Sequence, residues 1–106
     1  MKYKFSNRIT TYIIIYDILS DDVRGWVSLA NRRRAKISRI LLEYGMRTQK
    51  SVFELEITSK KEFSRMIKRL EKTMNKHDKV YIYPIDSKNK KKIKRLGYEI
   101  ETDFFF

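Results

Sequence analysis

Apolar and polar positions change rhythm several times along this chain, and each change marks an element. Tyr12-Ile13-Ile14-Ile15-Tyr16-Asp17 is β-branched and aromatic, which suits a pleated strand. Tyr12, Ile14 and Tyr16 share one face, and Ile13, Ile15 and Asp17 the other. Both faces stay apolar until the final carboxylate, so this strand belongs in the middle of a sheet covered on both sides. Ser20-Asp21-Asp22 reads as turn or cap material, and Gly25 to Ala30 as a loop or an early helical turn. Ile37, Ile40, Leu41 and Tyr44 then recur at helical spacing, with Ala30 and Arg33 on the same side. Gly45 stands where a helix wants a left-handed terminator.

Residues 46–58 read as strand, but the apolar parity switches partway, which predicts a turn or bulge near Ser51–Glu54. Ser59 and Glu62 form a capping box ahead of a second amphipathic helix over 60–75, with Phe63, Met66, Ile67, Leu70 and Met74 on its core face. Lys79 to Tyr83 is another strand apolar on both faces, stopped by Pro84. A lysine-rich run over 88–92 follows, then Ile93 to Gly97 as a candidate short strand, and a tail ending in three phenylalanines. Three phenylalanines left in water would invite aggregation, so they are expected to pack on this subunit or another.

The order is βαββαβ plus a tail: an α+β, ferredoxin-like fold with an antiparallel sheet and an extra C-terminal strand or tail. Residues 1–85 form the core domain. Residues 86–106 are a basic linker and apolar tail, expected to pack on a dimer partner. Both helices cover one sheet face; the strands' second apolar face then calls for a homodimer with a self-complementary interface.

Charge changes this picture from a fold to a surface. The 106 residues carry 25 Lys and Arg against 13 Asp and Glu, a net charge of +12. Such an excess favours a polyanionic partner, since cations that neutralise phosphates release counterions. Arg32, Lys36 and Arg39 fall at i, i+4 and i+7 in one stripe on the first helix, flanked by Arg33 and Arg34. With no cysteine and a single histidine, His77, the chain lacks disulfides, thiolate metal sites and any Ser-His-Asp or Cys-His set. It also lacks a glycine-rich phosphate loop and transmembrane-length segments, so a cytoplasmic protein is expected. Asp17 can act as a turn cap or reach a metal.

Tyr16-Asp17-Ile18, Arg32-Arg33-Arg34, Gln49-Lys50-Ser51-Val52-Phe53-Glu54 after Gly45, and Tyr83-Pro84-Ile85 resemble the CRISPR-associated protein two family over about residues 10–85. One departure is a longer gap between Asp17 and the arginines, by roughly Val23 to Asn31. The resemblance implies a ferredoxin-like homodimer, with a C-terminal strand added to the partner's sheet, that binds DNA and bridges the Cas one integrase during spacer acquisition. It also implies an alternative: a Mg²⁺- or Mn²⁺-dependent endonuclease acting on single-stranded RNA or duplex DNA. Asp17 matches the family's first-strand aspartate, as catalytic and metal-binding residue. Arg32 to Arg34, Arg47 and Lys50 join Lys36 and Arg39 as nucleic-acid-binding candidates, with Tyr16, Ser51 and Phe53 structural beside the site. Two Asp17 carboxylates near a dimer axis, completed by waters and phosphate oxygens, would suit Mg²⁺ better than one.

Overall fold

The structure is a computed structural model that describes residues 9–19 and 26–97, with side chains in the second span from Leu29 onward. The expectations for Ser20-Asp21-Asp22 and for the three terminal phenylalanines lie outside the described residues. Seven elements follow in order: β1 Thr10–Asp17, α1 Trp26–Leu42, β2 Gly45–Gln49, β3 Val52–Ile57, α2 Lys60–Thr73, β4 Lys79–Ile85 and the one-turn α3 Ser87–Lys90. The sheet order is β2-β3-β1-β4, and every neighbouring pair is antiparallel. This is the expected ferredoxin-like α+β arrangement, with β1 in the interior of the sheet and β4 at one edge.

Burial follows the period-two pattern. Ile14 on β1 faces Phe53 on one side and Ile82 on the other. Ile14, Tyr16, Phe53, Leu55 and Ile57 are buried against Ala30, Ile37, Ile40 and Leu41 of α1 and Met66 and Leu70 of α2. Burying such side chains is worth about 1.5–3 kcal/mol each, which is what holds the helices on this face. On the opposite face Ile15, Met46, Tyr81 and Tyr83 remain exposed. The segment after β4 crosses part of that face. There Lys90 pairs with Glu56, and Arg95 makes two 2.7 Å hydrogen bonds to Glu54.

Three local expectations change in detail. The parity switch is a turn at Lys50–Ser51 between β2 and β3, with a register irregularity between Arg47 and Gln49. Gly45 opens β2 rather than terminating α1 in a left-handed conformation; among the described residues, only Gly97 has positive φ. Its glycine is needed for space, because a Cβ there would lie 2.1 Å from the Glu54 carbonyl oxygen and 2.7 Å from Leu55. Ile93 to Gly97 is irregular rather than strand. Half of the expected capping box forms at α2: the Glu62 amide donates to Ser59 Oγ at 3.0 Å, while the Glu62 carboxylate accepts from Arg65 Nη1 at 2.8 Å.

Candidate nucleic-acid interface

At the C-terminal end of β1 successive side chains part company. Tyr16 turns inward toward α1, while Asp17 stays exposed opposite Lys79 of β4. Beyond them, Ile18 and Leu19 are held by two arginines of α1. Arg34 Nη2 donates to the Ile18 carbonyl at 3.0 Å, and its Nη1 to Asn31 Oδ1 at 2.6 Å. Arg33 Nη2 donates to the Leu19 carbonyl at 3.0 Å.

Arg33 also donates Nε to Asp78 Oδ2 at 2.8 Å and Nη2 to Asp78 Oδ1 at 3.3 Å. The Asp78 side chain is fully buried and accepts two backbone amides besides, from Leu19 at 3.1 Å and Asn75 at 2.8 Å. Burial pushes its pKa up, but the Arg33 hydrogen bonds and then the Asn75 and Leu19 amides outweigh it and hold the carboxyl below its usual range. This clamp joins α1, the exit of β1 and the loop entering β4.

A groove opens beside the clamp, about 740 Å³ in volume, lined by Tyr16, Asn31, Arg34, Ala35, Ser38, Arg39, Leu42, Arg47, Lys50 and Ser51. Among the described residues four cations line it and no carboxylate does. Arg47 sits at its floor. Its guanidinium carbon stands 5.1 Å from the Phe53 ring centroid, a cation–π contact, and its Nη2 donates to Ser38 Oγ at 2.6 Å. Ser38 Oγ is 2.9 Å from the Tyr16 hydroxyl, which in turn donates to the Lys50 carbonyl at 3.4 Å. The Tyr16 amide donates to the Ser51 carbonyl at 3.1 Å, so β1 is also tied to the turn by its backbone.

The predicted basic residues therefore divide. Arg39, Arg47, Lys50 and Arg34 line the groove. Arg32 and Lys36 are exposed on α1, and Lys36 and Arg39 line a second furrow with Lys72 and Arg69 of α2. There Arg69 forks onto Glu43 with hydrogen bonds of 2.7 and 2.8 Å, which hold the Glu43 pKa below its usual value. Arg33 belongs to the clamp instead. Phe53 is buried beneath Arg47, and Ser51 and Tyr16 line the groove. Asp17 is not among the groove's lining residues.

Sequence reasoning missed Asp78 and Ser38. Each had a signal. Asp78 interrupts the approach to an apolar strand, and Ser38 is a small polar residue set against the apolar stripe of Ile37, Ile40 and Leu41. Among the described residues no three His, Cys, Asp or Glu side chains gather as metal ligands. Nor is any described helix long and apolar enough to cross a membrane.

Fold and surface together define a small ferredoxin-like α+β protein with a cation-lined groove at one end of its sheet. The family model for CRISPR associated protein Cas2 matches residues 10–93, and the chain belongs to that family. It is 39% identical over 74 residues to CRISPR-associated endoribonuclease Cas2 4 of Rhodospirillum rubrum, covering 69% of this chain but only 51% of that relative. It is 29% identical over 91 residues to CRISPR-associated endoribonuclease Cas2 1 of Moorella thermoacetica, covering 85% of this chain and 94% of the relative. The crystal structure of Streptococcus pyogenes Cas2 superposes with a TM-score of 0.69 at 23% identity, over 82% of this chain and 99% of that one. A hypothetical protein from Thermus thermophilus gives 0.65 at 27% identity, over 85% and 93%.

Proposed function

We propose that this protein is a CRISPR adaptation protein of the cytoplasm. In this reading it works as a dimeric nucleic-acid-binding scaffold that bridges the Cas one integrase during spacer acquisition. The observation that carries the binding role is the groove with four cations and no carboxylate among its described lining residues, on a chain of net charge +12. Phosphate contacts position a duplex without reading its sequence, so binding to DNA is general and strongly salt-dependent. The exposed Ile15, Met46, Tyr81 and Tyr83 support dimerisation through the outer sheet face. Measuring duplex affinity against salt tests the reading. A substantial negative slope is expected, reduced when Arg32, Lys36 and Arg39 are all replaced by alanine; a salt-independent affinity would overturn it.

A second reading is favoured by the exposed carboxylate at the end of β1 and by the endoribonuclease names of the relatives. Here the protein is a Mg²⁺- or Mn²⁺-dependent endonuclease, with single-stranded RNA or duplex DNA as substrate. In this reading a dimer brings two Asp17 carboxylates together, which with waters and phosphate oxygens would hold the ion. Asp17→Asn should then abolish cleavage of labelled RNA or duplex DNA in either metal while leaving duplex binding intact. Metal-independent cleavage, or cleavage retained by the variant, would remove Asp17 from the chemistry.

A further inference from the structure

Arg47 is unusual among the cations at this end of the protein. Among the described residues it has no carboxylate partner, and its Nε is buried with nothing to donate to. A buried, unsatisfied donor on a charged group is costly, and burial closes Nε itself to a ligand, so an anion in the groove would meet the terminal nitrogens of this fixed cation. What fixes it is equally specific. The Phe53 ring supports the guanidinium plane, and Ser38 Oγ supplies its hydrogen-bond acceptor.

We propose that Ser38 is a positioning residue that holds Arg47 rigid as the phosphate donor of the groove; this rests on the nucleic-acid-binding reading above. The hydrogen bonds run in one direction. Arg47 donates to Ser38; Ser38, having accepted, can donate to the Tyr16 hydroxyl; Tyr16 donates to the Lys50 carbonyl. Each hydroxyl both accepts and donates, so each bond polarises the next. The chain links β2, α1, β1 and the β2–β3 turn, four places that rigid packing already fixes. Arg47 therefore meets a phosphate with its side-chain ordering largely complete, and its planar fork matches phosphate oxygens. Serine does this where alanine would not, because the relay needs a hydroxyl that accepts from Arg47 and donates to Tyr16, and Ser38 is buried at 7% exposure.

The test separates position from charge. Ser38→Ala keeps the Arg47 charge, so it should weaken binding to a short labelled DNA duplex by about two- to tenfold, the cost of ordering one long side chain on binding. Its salt slope should match the wild type. Arg47→Met should lower the slope by about 0.9, one phosphate's worth on a duplex. The double variant should bind no more weakly than Arg47→Met alone. In the unbound protein, ¹⁵N relaxation at Arg47 Nε should show a rigid group in the wild type and a mobile one in Ser38→Ala. A mobile Nε in the wild type, an unchanged affinity in Ser38→Ala, or losses that add fully in the double variant would each overturn the proposal. A wild-type protein that holds Arg47 rigid but binds duplex independently of salt would instead overturn the binding reading itself.

Discussion

Arg33 and Arg47 stand on neighbouring elements, close to the same end of β1, and do opposite things with the same guanidinium. Arg33 faces a buried carboxylate and is consumed by it, with backbone amides completing the Asp78 oxygens. Arg47 rests on an aromatic face and a hydroxyl, with one donor unpaired. The first arrangement closes on itself and holds three pieces of chain together. The second has no carboxylate partner among the described residues. A basic run in a sequence is thus not one surface: the partner set of each cation decides whether it braces the fold or faces a ligand.

Removing one partner of the braced pair should have the largest effect. Asp78→Ala leaves Arg33 partly buried without its counter-charge, and thermal or urea unfolding should show a loss of about 3–5 kcal/mol. A loss under 1 kcal/mol would mean that the clamp does not brace the fold. The clamp also has a pH signature. Asp78 has a folded pKa below its unfolded value of roughly 4. Its contribution is therefore fully present above that value and lost as pH falls through the lowered folded pKa. The gap in stability between wild type and Asp78→Asn should narrow on acidification from pH 5 downward; a constant gap would break the linkage.

The two arginines should then separate cleanly under the same substitution. Arg33→Met should destabilise by about 3 kcal/mol or more, by leaving Asp78 buried and unpaired. Arg47→Met should change stability by about 1 kcal/mol or less, since its stem and ring contact persist and one unsatisfied donor disappears. Equal melting temperatures for the two variants would mean that both arginines brace the fold alike, or that neither does.

The smallest effect belongs to the surface. Arg95→Ala breaks a pair with Glu54 on the outer sheet face, whose arginine is well exposed, and should cost under about 1 kcal/mol in urea unfolding. A larger loss would show that the segment after β4 braces the sheet as the Arg33 clamp does.

Much of this fold was written in local pattern. The β-branched and aromatic run at Tyr12–Tyr16 and the helical spacing at Ile37, Ile40 and Leu41 are local signals of strand and helix, and the βαββαβ order is legible in the sequence from such signals. The stripe of Arg32, Lys36 and Arg39 is equally local, because i, i+4, i+7 geometry is the helix's own. The resemblance carried Asp17, Arg47 and Phe53, and the structure places Arg47 on Phe53. Tertiary structure alone decided what Arg33 and Arg47 touch. Asp78 lies 45 residues from Arg33 along the chain, and Ser38 22 from Tyr16. No periodicity links such pairs: setting β1 beside β4 brings Asp78 to the exit of β1 and so to Arg33, and packing α1 on the sheet brings Ser38 to Tyr16. Gly45 shows the same limit. Its sequence context matches a helix terminator, yet its constraint is the Glu54 carbonyl of the paired strand, a steric fact that exists only once β2 lies against β3.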